Sequence, residues 1–325
     1  MIATPPDKVY GARLRVSALL ALACVLLALA GCGRTGATTS VSRDVTETLE
    51  FGGLTRSYIL HRPPSTGAPP PLVLAFHGGG DTAADMERLT HFDELADKDG
   101  FLVVYPQGVA NRWADARDGA TPDATSVDDI GYVRALLDDL KRLIAYDPAR
   151  VYATGVSIGG FFTARLGCEA ADRIAAIGVV AATLAAPEAE RCAPARHVSV
   201  VTMHGTDDTV IPAAGGEMTK GDGGYILSVA DTARTWTRVD GCAAQPDVTY
   251  EPDSADDGTR VRRETYPGCA NGAAVVFYII EGGGHTWPGG PSYVSGTVVN
   301  RSTHDIDGSA VLWSFFQAHR LNGSL

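Results

Sequence analysis

Beyond residue 31 the chain holds no apolar run long enough to span a bilayer, no Cys-x-x-Cys pair and no internal repeat. The first absence excludes a membrane-spanning helix in the body of the protein. The second removes the spacing on which redox dithiols and structural zinc sites are built. Positive charge is also scarce: 27 Lys and Arg face 38 Asp and Glu, for a net charge of −11. Such a surface repels polyanions, which argues against nucleic acid or an anionic membrane face as a partner. No metal or organic cofactor is implied by any ligand pattern. Against these absences stand 325 residues, 45% of them hydrophobic, with mean hydropathy near zero. That is enough to bury one large core, and a single catalytic domain over 45–325 is expected.

The first 31 residues read differently. Arg13 and Arg15 precede an uncharged, mostly apolar run at 16–30. Its 15 residues are shorter than the roughly 20 a spanning helix needs, which fits a signal peptide over 1–31. Leu29-Ala30-Gly31-Cys32 resembles the bacterial lipobox, which implies a lipid on Cys32, export, and anchoring to the outer face of a bacterial membrane or release outside the cell. Residues 32–44, rich in Gly, Ser and Thr, are expected to be a flexible tether. Loss of 1–31 removes Lys8, Arg13, Arg15 and Asp7 and takes the net charge to −13. Four cysteines remain besides Cys32: Cys168, Cys192, Cys242 and Cys269. An even number in an exported protein points to two disulfides.

Apolar, β-rich runs at 56–61, 72–76, 101–105, 150–154, 175–181, 198–203 and 274–280 alternate with helical patterns. That alternation predicts an α/β fold, a mostly parallel central sheet with helices on both faces. The first run should pair antiparallel with one near 45–51. Ile130, Val133, Leu137, Leu140 and Ile144 line one face of a helix over 128–146, with Ser126, Asp128 and Asp129 stabilising its N-terminus. A last helix is expected near 306–320.

The chemistry concentrates in four segments. Gly155-Val156-Ser157-Ile158-Gly159 sits where a strand ends and a helix begins, the setting of a nucleophile elbow. His77-Gly78-Gly79-Gly80 follows the strand at 72–76, where a loop can supply an oxyanion amide. Backbone N–H groups of Gly79 and Ile158 are assigned to that role, with Gly80 as substitute for Gly79. His77 itself reads as structural. The acid should follow a later strand and the base a still later one. Asp208, in His204-Gly205-Thr206-Asp207-Asp208, is favoured over its neighbour Asp207. His285, in the glycine-rich stretch after the last strand, is favoured as base over His304.

Together the HGGG, GVSIGG, HGTDDTVIP and GGGHTWPGG segments resemble the secreted polyhydroxybutyrate depolymerase and feruloyl esterase-like group of α/β-hydrolases, from about residue 49 onward. The resemblance implies a Ser157, Asp208, His285 triad, and bridges Cys168 to Cys192 and Cys242 to Cys269. It implies hydrolysis of an ester substrate, polymeric or polysaccharide-linked, with Trp287 near the substrate. Ile158 departs from the group, which often has a polar residue there. Two other functions fit the scaffold: acyl transfer to a sugar or lipid alcohol, and a catalytically silent surface binding protein. Asp253, Asp257, Gly258 and Glu264 partly match a calcium loop, but Ala255 occupies a ligand position, so a hairpin is expected there. Only 16 residues, 182–197, separate two strands where lipases insert a lid. No large lid domain is therefore expected, and the cleft should suit short acyl or hydroxycinnamoyl groups.

Overall fold

A computed structural model describes residues 43–64, 68–117, 127–219, 223–291 and 301–321. Cys32 and nearly all of the expected tether lie outside the described residues. The tether's last residue does not: Asp44 opens strand β1 (Asp44–Phe51), pairs opposite His61 of β2 (Leu54–His61), and accepts from His61 Nδ1 at 2.5 Å. The folded domain therefore begins earlier than the composition implies.

The antiparallel β1–β2 hairpin forms one edge of a ten-stranded sheet. The other strands of its centre are β3 (Leu72–Phe76), β4 (Leu102–Pro106), β5 (Val151–Val156), β6 (Ala176–Val180), β7 (Ser199–Gly205) and β12 (Val275–Glu281). These six run parallel in the order β4-β3-β5-β6-β7-β12. At the far edge β11 (Arg260–Tyr266) and β10 (Asp247–Tyr250) add antiparallel. They form the hairpin expected in place of a calcium loop, and Asp257 is used within it, accepting from the N–H and hydroxyl of Thr259. A separate two-stranded ribbon joins β8 (Gly216–Glu217) to β9 (Tyr225–Ile226).

Parity divides the core into two layers. Leu72, Leu74 and Phe76 of β3 pack on one face, and Val73 and Ala75 on the other, because successive side chains of a strand point oppositely. Helices α3 (Asp129–Leu143), α4 (Ile158–Glu169) and α6 (Val229–Val239) cover the first face, through Leu136, Phe162 and Trp236 among others. Helices α1 (Ala83–Thr90), α2 (Phe92–Asp99) and α7 (Gly308–Gln317) cover the second, through Met86, Phe92 and Phe316. Sheet strands buried on both faces read as continuous apolar runs, which is how they showed in the sequence.

The reading of helix α3 needs correction at its end: it stops at Leu143, with Ile144 extended. At its start Asp128 is the N-cap, accepting from Gly131 N–H, and Asp129 lies in the first turn with a second role. Asp129 is buried and paired with buried Arg56 at 2.8 Å while accepting from Ala114 N–H. A buried carboxylate persists only with such partners. Ser126 lies outside the described residues.

Between β6 and β7 there is one short helix, α5 (Ala186–Arg191), followed by Cys192, which is bonded to Cys168 at the end of α4. The second disulfide joins Cys242 to Cys269. Both bridges match the expected pairing, and among the described residues no lid domain follows β6. None of the helices among the described residues is long and apolar enough to cross a membrane.

Candidate active site

Ser157, Asp208 and His285 each follow the C-terminal end of a parallel strand, β5, β7 and β12, where α/β sheets gather their chemistry. Ser157 occupies the sharp turn between β5 and α4 with φ 57° and ψ −121°. Positive φ is costly for a side-chain residue and is held here by its surroundings. The flanking glycines explain how: a Cβ on Gly155 would collide with the Gly159 carbonyl, and one on Gly159 with the Phe76 carbonyl. The turn thus fits tightly against the end of β3.

Asp208 and His285 come together from neighbouring strands. His285 Nδ1 donates to Asp208 Oδ2 at 2.8 Å, and both side chains are buried. Asp208 Oδ1 accepts from the N–H groups of Val210 and Ile211, each at 2.8 Å. Burial alone would raise the Asp208 pKa, but the bond and charge of His285 and the Ile211 amide hold it below the ordinary carboxylate range. Asp207 is exposed and turned elsewhere: its N–H donates to Gly283 and its carboxylate accepts from Thr206. His304 is also exposed, its backbone bonded to Asp257. The sequence-level alternatives for acid and base are therefore not the groups that meet.

The loop after β3 lies against Ser157 and His285 in one narrow cleft of about 50 Å³, lined by Gly78, Gly79, Asp81, Met86, Leu89 and Trp287 among others. A larger cavity, near 540 Å³ beside Arg196 and Arg320, opens at the opposite ends of the strands, away from this chemistry. Ile158 is the first residue of α4, so its N–H has no acceptor within the helix. Among the described residues the Gly79 N–H also has no acceptor, whereas the Gly80 N–H donates to the Asn111 carbonyl at 2.9 Å. Gly80 is thus committed and cannot substitute for Gly79.

His77 supports that loop from beneath. Its Nε2 accepts from Gly108 N–H at 3.0 Å and from the Gln107 amide, so Nδ1 carries the proton and donates to the Gly78 carbonyl at 2.7 Å. Burial pushes its pKa down to about 4 and keeps it neutral. Trp113 Nε1 donates to the His77 carbonyl. The buttress of Gln107, Asn111 and Trp113 escaped the sequence reading. Its one signal was position, directly after β4, the strand beside β3.

Trp287 lines the cleft, but its indole is nearly all buried, with Nε1 donating to Ser309 Oγ and the ring packed edge-on to Phe92. With 2% of its surface exposed, it offers a bound group a small patch of contact and no stacking face. The sequence leads one to expect loops at 213–224 and 286–303 to rim the cleft, and of these 220–222 and 292–300 lie outside the described residues. The arrangement as a whole meets the needs of acyl transfer: a nucleophile on an elbow, an acid-held imidazole, and two amide donors.

The esterase PHB depolymerase family model matches residues 56–216. The chain is 33% identical over 288 residues to "Putative esterase NocK" of Nocardia uniformis subsp. tsuyamanensis, covering 82% of this chain and 81% of that one. It is 29% identical over 219 residues to feruloyl esterase B of Piromyces equi, covering 66% of this chain but 39% of that protein. Among solved structures, acetyl xylan esterase from Aspergillus awamori superposes with a TM-score of 0.57 at 14% identity, over 84% of this chain and 99% of that one, a likeness of fold.

Proposed function

This chain belongs to the esterase PHB depolymerase family, whose members hydrolyse carboxylic esters, and we propose that Ser157, His285 and Asp208 carry that reaction here. The carrying observation is the buried 2.8 Å bond between His285 and Asp208 at the mouth of the cleft that Ser157 shares. Ser157 Oγ attacks the ester carbonyl and His285 Nε2 takes its proton. The Gly79 and Ile158 amides stabilise the oxyanion, and the alcohol leaves with the proton held by His285. Water then repeats the sequence on the acyl-enzyme. Asp208 fixes the tautomer that leaves Nε2 free to accept.

The cleft is small and has no lid domain among the described residues, which supports short acyl groups as substrates; a hydroxycinnamoyl ring would meet only the small part of Trp287 that reaches the cleft. Polymeric or polysaccharide-linked esters fit the same open geometry. A fluorophosphonate probe should label the purified protein, and Ser157→Ala should abolish both labelling and ester hydrolysis, with kcat lower by a factor on the order of 10⁶. Labelling of Ser157→Ala would overturn the assignment. The lipobox-like segment supports a second element: export with a diacylglycerol anchor on Cys32. Cys32→Ser should lose lipid labelling and membrane fractionation, and unchanged fractionation would refute the anchor.

A further inference from the structure

The cleft holds a carboxylate that the triad does not use. Asp81 lines it together with Ser157 and His285, at the end of a turn closed by its own N–H donating to the Gly78 carbonyl at 3.2 Å. A Cβ placed on Gly78 would lie 2.8 Å from Asp81 Oδ2 and 3.7 Å from Ser157 Cβ. The Asp81 carboxylate and the Ser157 side chain therefore border the same small space, which the missing side chain of Gly78 leaves clear.

Its neighbour Asp85, which also lines the cleft, is fully occupied. Asp85 Oδ2 accepts from the Thr82 N–H and hydroxyl, and Oδ1 pairs with Arg88. Asp81 differs, for among the described residues no donor reaches its half-buried carboxylate. Helix capping does not account for it, because Thr82 is the N-cap of α1 and completes a capping box with Asp85. An acceptor of this kind, left to face the cleft, is a recognition element awaiting a donor.

We propose that Asp81 determines specificity: its carboxylate accepts a hydrogen bond from a neutral hydroxyl carried by the substrate beside the scissile ester, and it repels substrates bearing an anion at that point. The proposal rests on the esterase reading of the same site. A hydroxyl suits the position better than an ammonium group. Met86, Leu89, Val156 and Trp287 give the wall an apolar stretch, and its other carboxylate, Asp85, is already held by Thr82 and Arg88, so a cation would lose hydration there with one free acceptor in return, whereas a hydroxyl needs only one acceptor. Burial raises the Asp81 pKa, the charge of Asp85 adds to this, and His285 opposes it. A donated hydrogen bond stabilises the ionised form. Sites that bond a substrate hydroxyl discriminate strongly against analogues that lack it.

The hydroxyl has two chemical sources, the acyl chain or the alcohol, and matched esters separate them. For the acyl source, p-nitrophenyl 3-hydroxybutyrate is compared with p-nitrophenyl butyrate. For the alcohol source, glyceryl monoacetate is compared with propyl acetate. The anion arm uses the p-nitrophenyl monoester of succinate against the butyrate ester. Wild type should favour the hydroxylated member of one pair by about tenfold in kcat/KM and disfavour the succinate ester. Asp81→Ala should bring both ratios toward one. Asp81→Asn, which keeps an acceptor of the same shape without charge, should retain part of the hydroxyl preference and lose the rejection of succinate. Ratios within one preparation do not depend on how much of a variant folds. Ratios near one in wild type for both hydroxyl pairs, or Asp81→Ala ratios within about twofold of wild type, would overturn the proposal. A wild-type protein that hydrolyses none of these esters would overturn the esterase reading along with it.

Discussion

Replacing Asp208 by Asn tests the site's logic more sharply than deleting it, because the structure dictates which way the amide must face. Asp208 Oδ1 holds two backbone N–H groups, of Val210 and Ile211, and Oδ2 holds His285 Nδ1. If the Asn oxygen keeps the two backbone donors, its NH₂ points at His285 and donates to Nδ1. The imidazole then carries its proton on Nε2 and cannot accept one from Ser157. The flipped amide would restore the His285 contact, but it would set NH₂ against two backbone N–H groups, one buried and one partly buried. Each lost bond costs about 1–3 kcal/mol, so the flip costs about 2–6 kcal/mol and the unproductive tautomer prevails. A tautomer error of this kind lowers kcat by about 10⁴ in the best-studied triad, and the same order is expected here. Steady-state hydrolysis of p-nitrophenyl acetate by Asp208→Asn and Asp207→Asn, with the fold checked by circular dichroism, provides the measurement. The reasoning fails if Asp208→Asn keeps more than about a tenth of the activity, or if Asp207→Asn is the more damaged protein.

Asp129→Ala strands the buried Arg56 guanidinium, which lies 3.9 Å from the Tyr132 ring centre, and should cost about 3–5 kcal/mol in urea denaturation. A loss under about 1 kcal/mol would show that the pair contributes little. His77, with its pKa pushed down to about 4 by burial, stays neutral where an unfolded histidine binds a proton. Stability should therefore fall by up to about 3 kcal/mol as pH drops from 6.5 to 4, and His77→Gln should show a flatter slope in that window. Asp240, pushed up to about 7 by burial, has the opposite sign. Its contribution is present at low pH and lost as pH rises through 7, so Asp240→Asn should remove that decline. Rates on p-nitrophenyl esters should fall with acyl length and show no jump once aggregates form; a jump would reveal a lid or tunnel.

What the sequence disclosed, and what it hid, divides along sequence distance. The elbow around Ser157 was legible because a strand, a glycine, the serine and a second glycine are contiguous. The β10–β11 and β1–β2 pairings were legible because hairpins are local. The choice of Asp208 over Asp207 rested on pattern, since which of two adjacent carboxylates turns inward is decided by Val210, Ile211 and a histidine 77 positions away. Gly80 looked equivalent to Gly79 until Asn111, on another loop, engaged its N–H. Asp129 read only as a helix-start carboxylate because its partner, Arg56, is 73 positions earlier. Asp81 drew no notice at all, since a lone aspartate after glycines reads as a turn.

The register of β7 against β12 has a consequence for how this scaffold can change. Gly205 stands opposite Ile280 across a parallel ladder, and the two strands deliver acid and base within five residues of that pairing. Proton transfer is therefore anchored to sheet hydrogen bonds, while the walls that meet the substrate hang from connections that the sheet does not constrain. A graft of the loop and helix after β3, which bring Asp81, Met86 and Leu89 to the cleft, from a relative would be expected to exchange selectivity without retuning the acid and base. Diversification and chemistry are, in this architecture, separately inheritable parts.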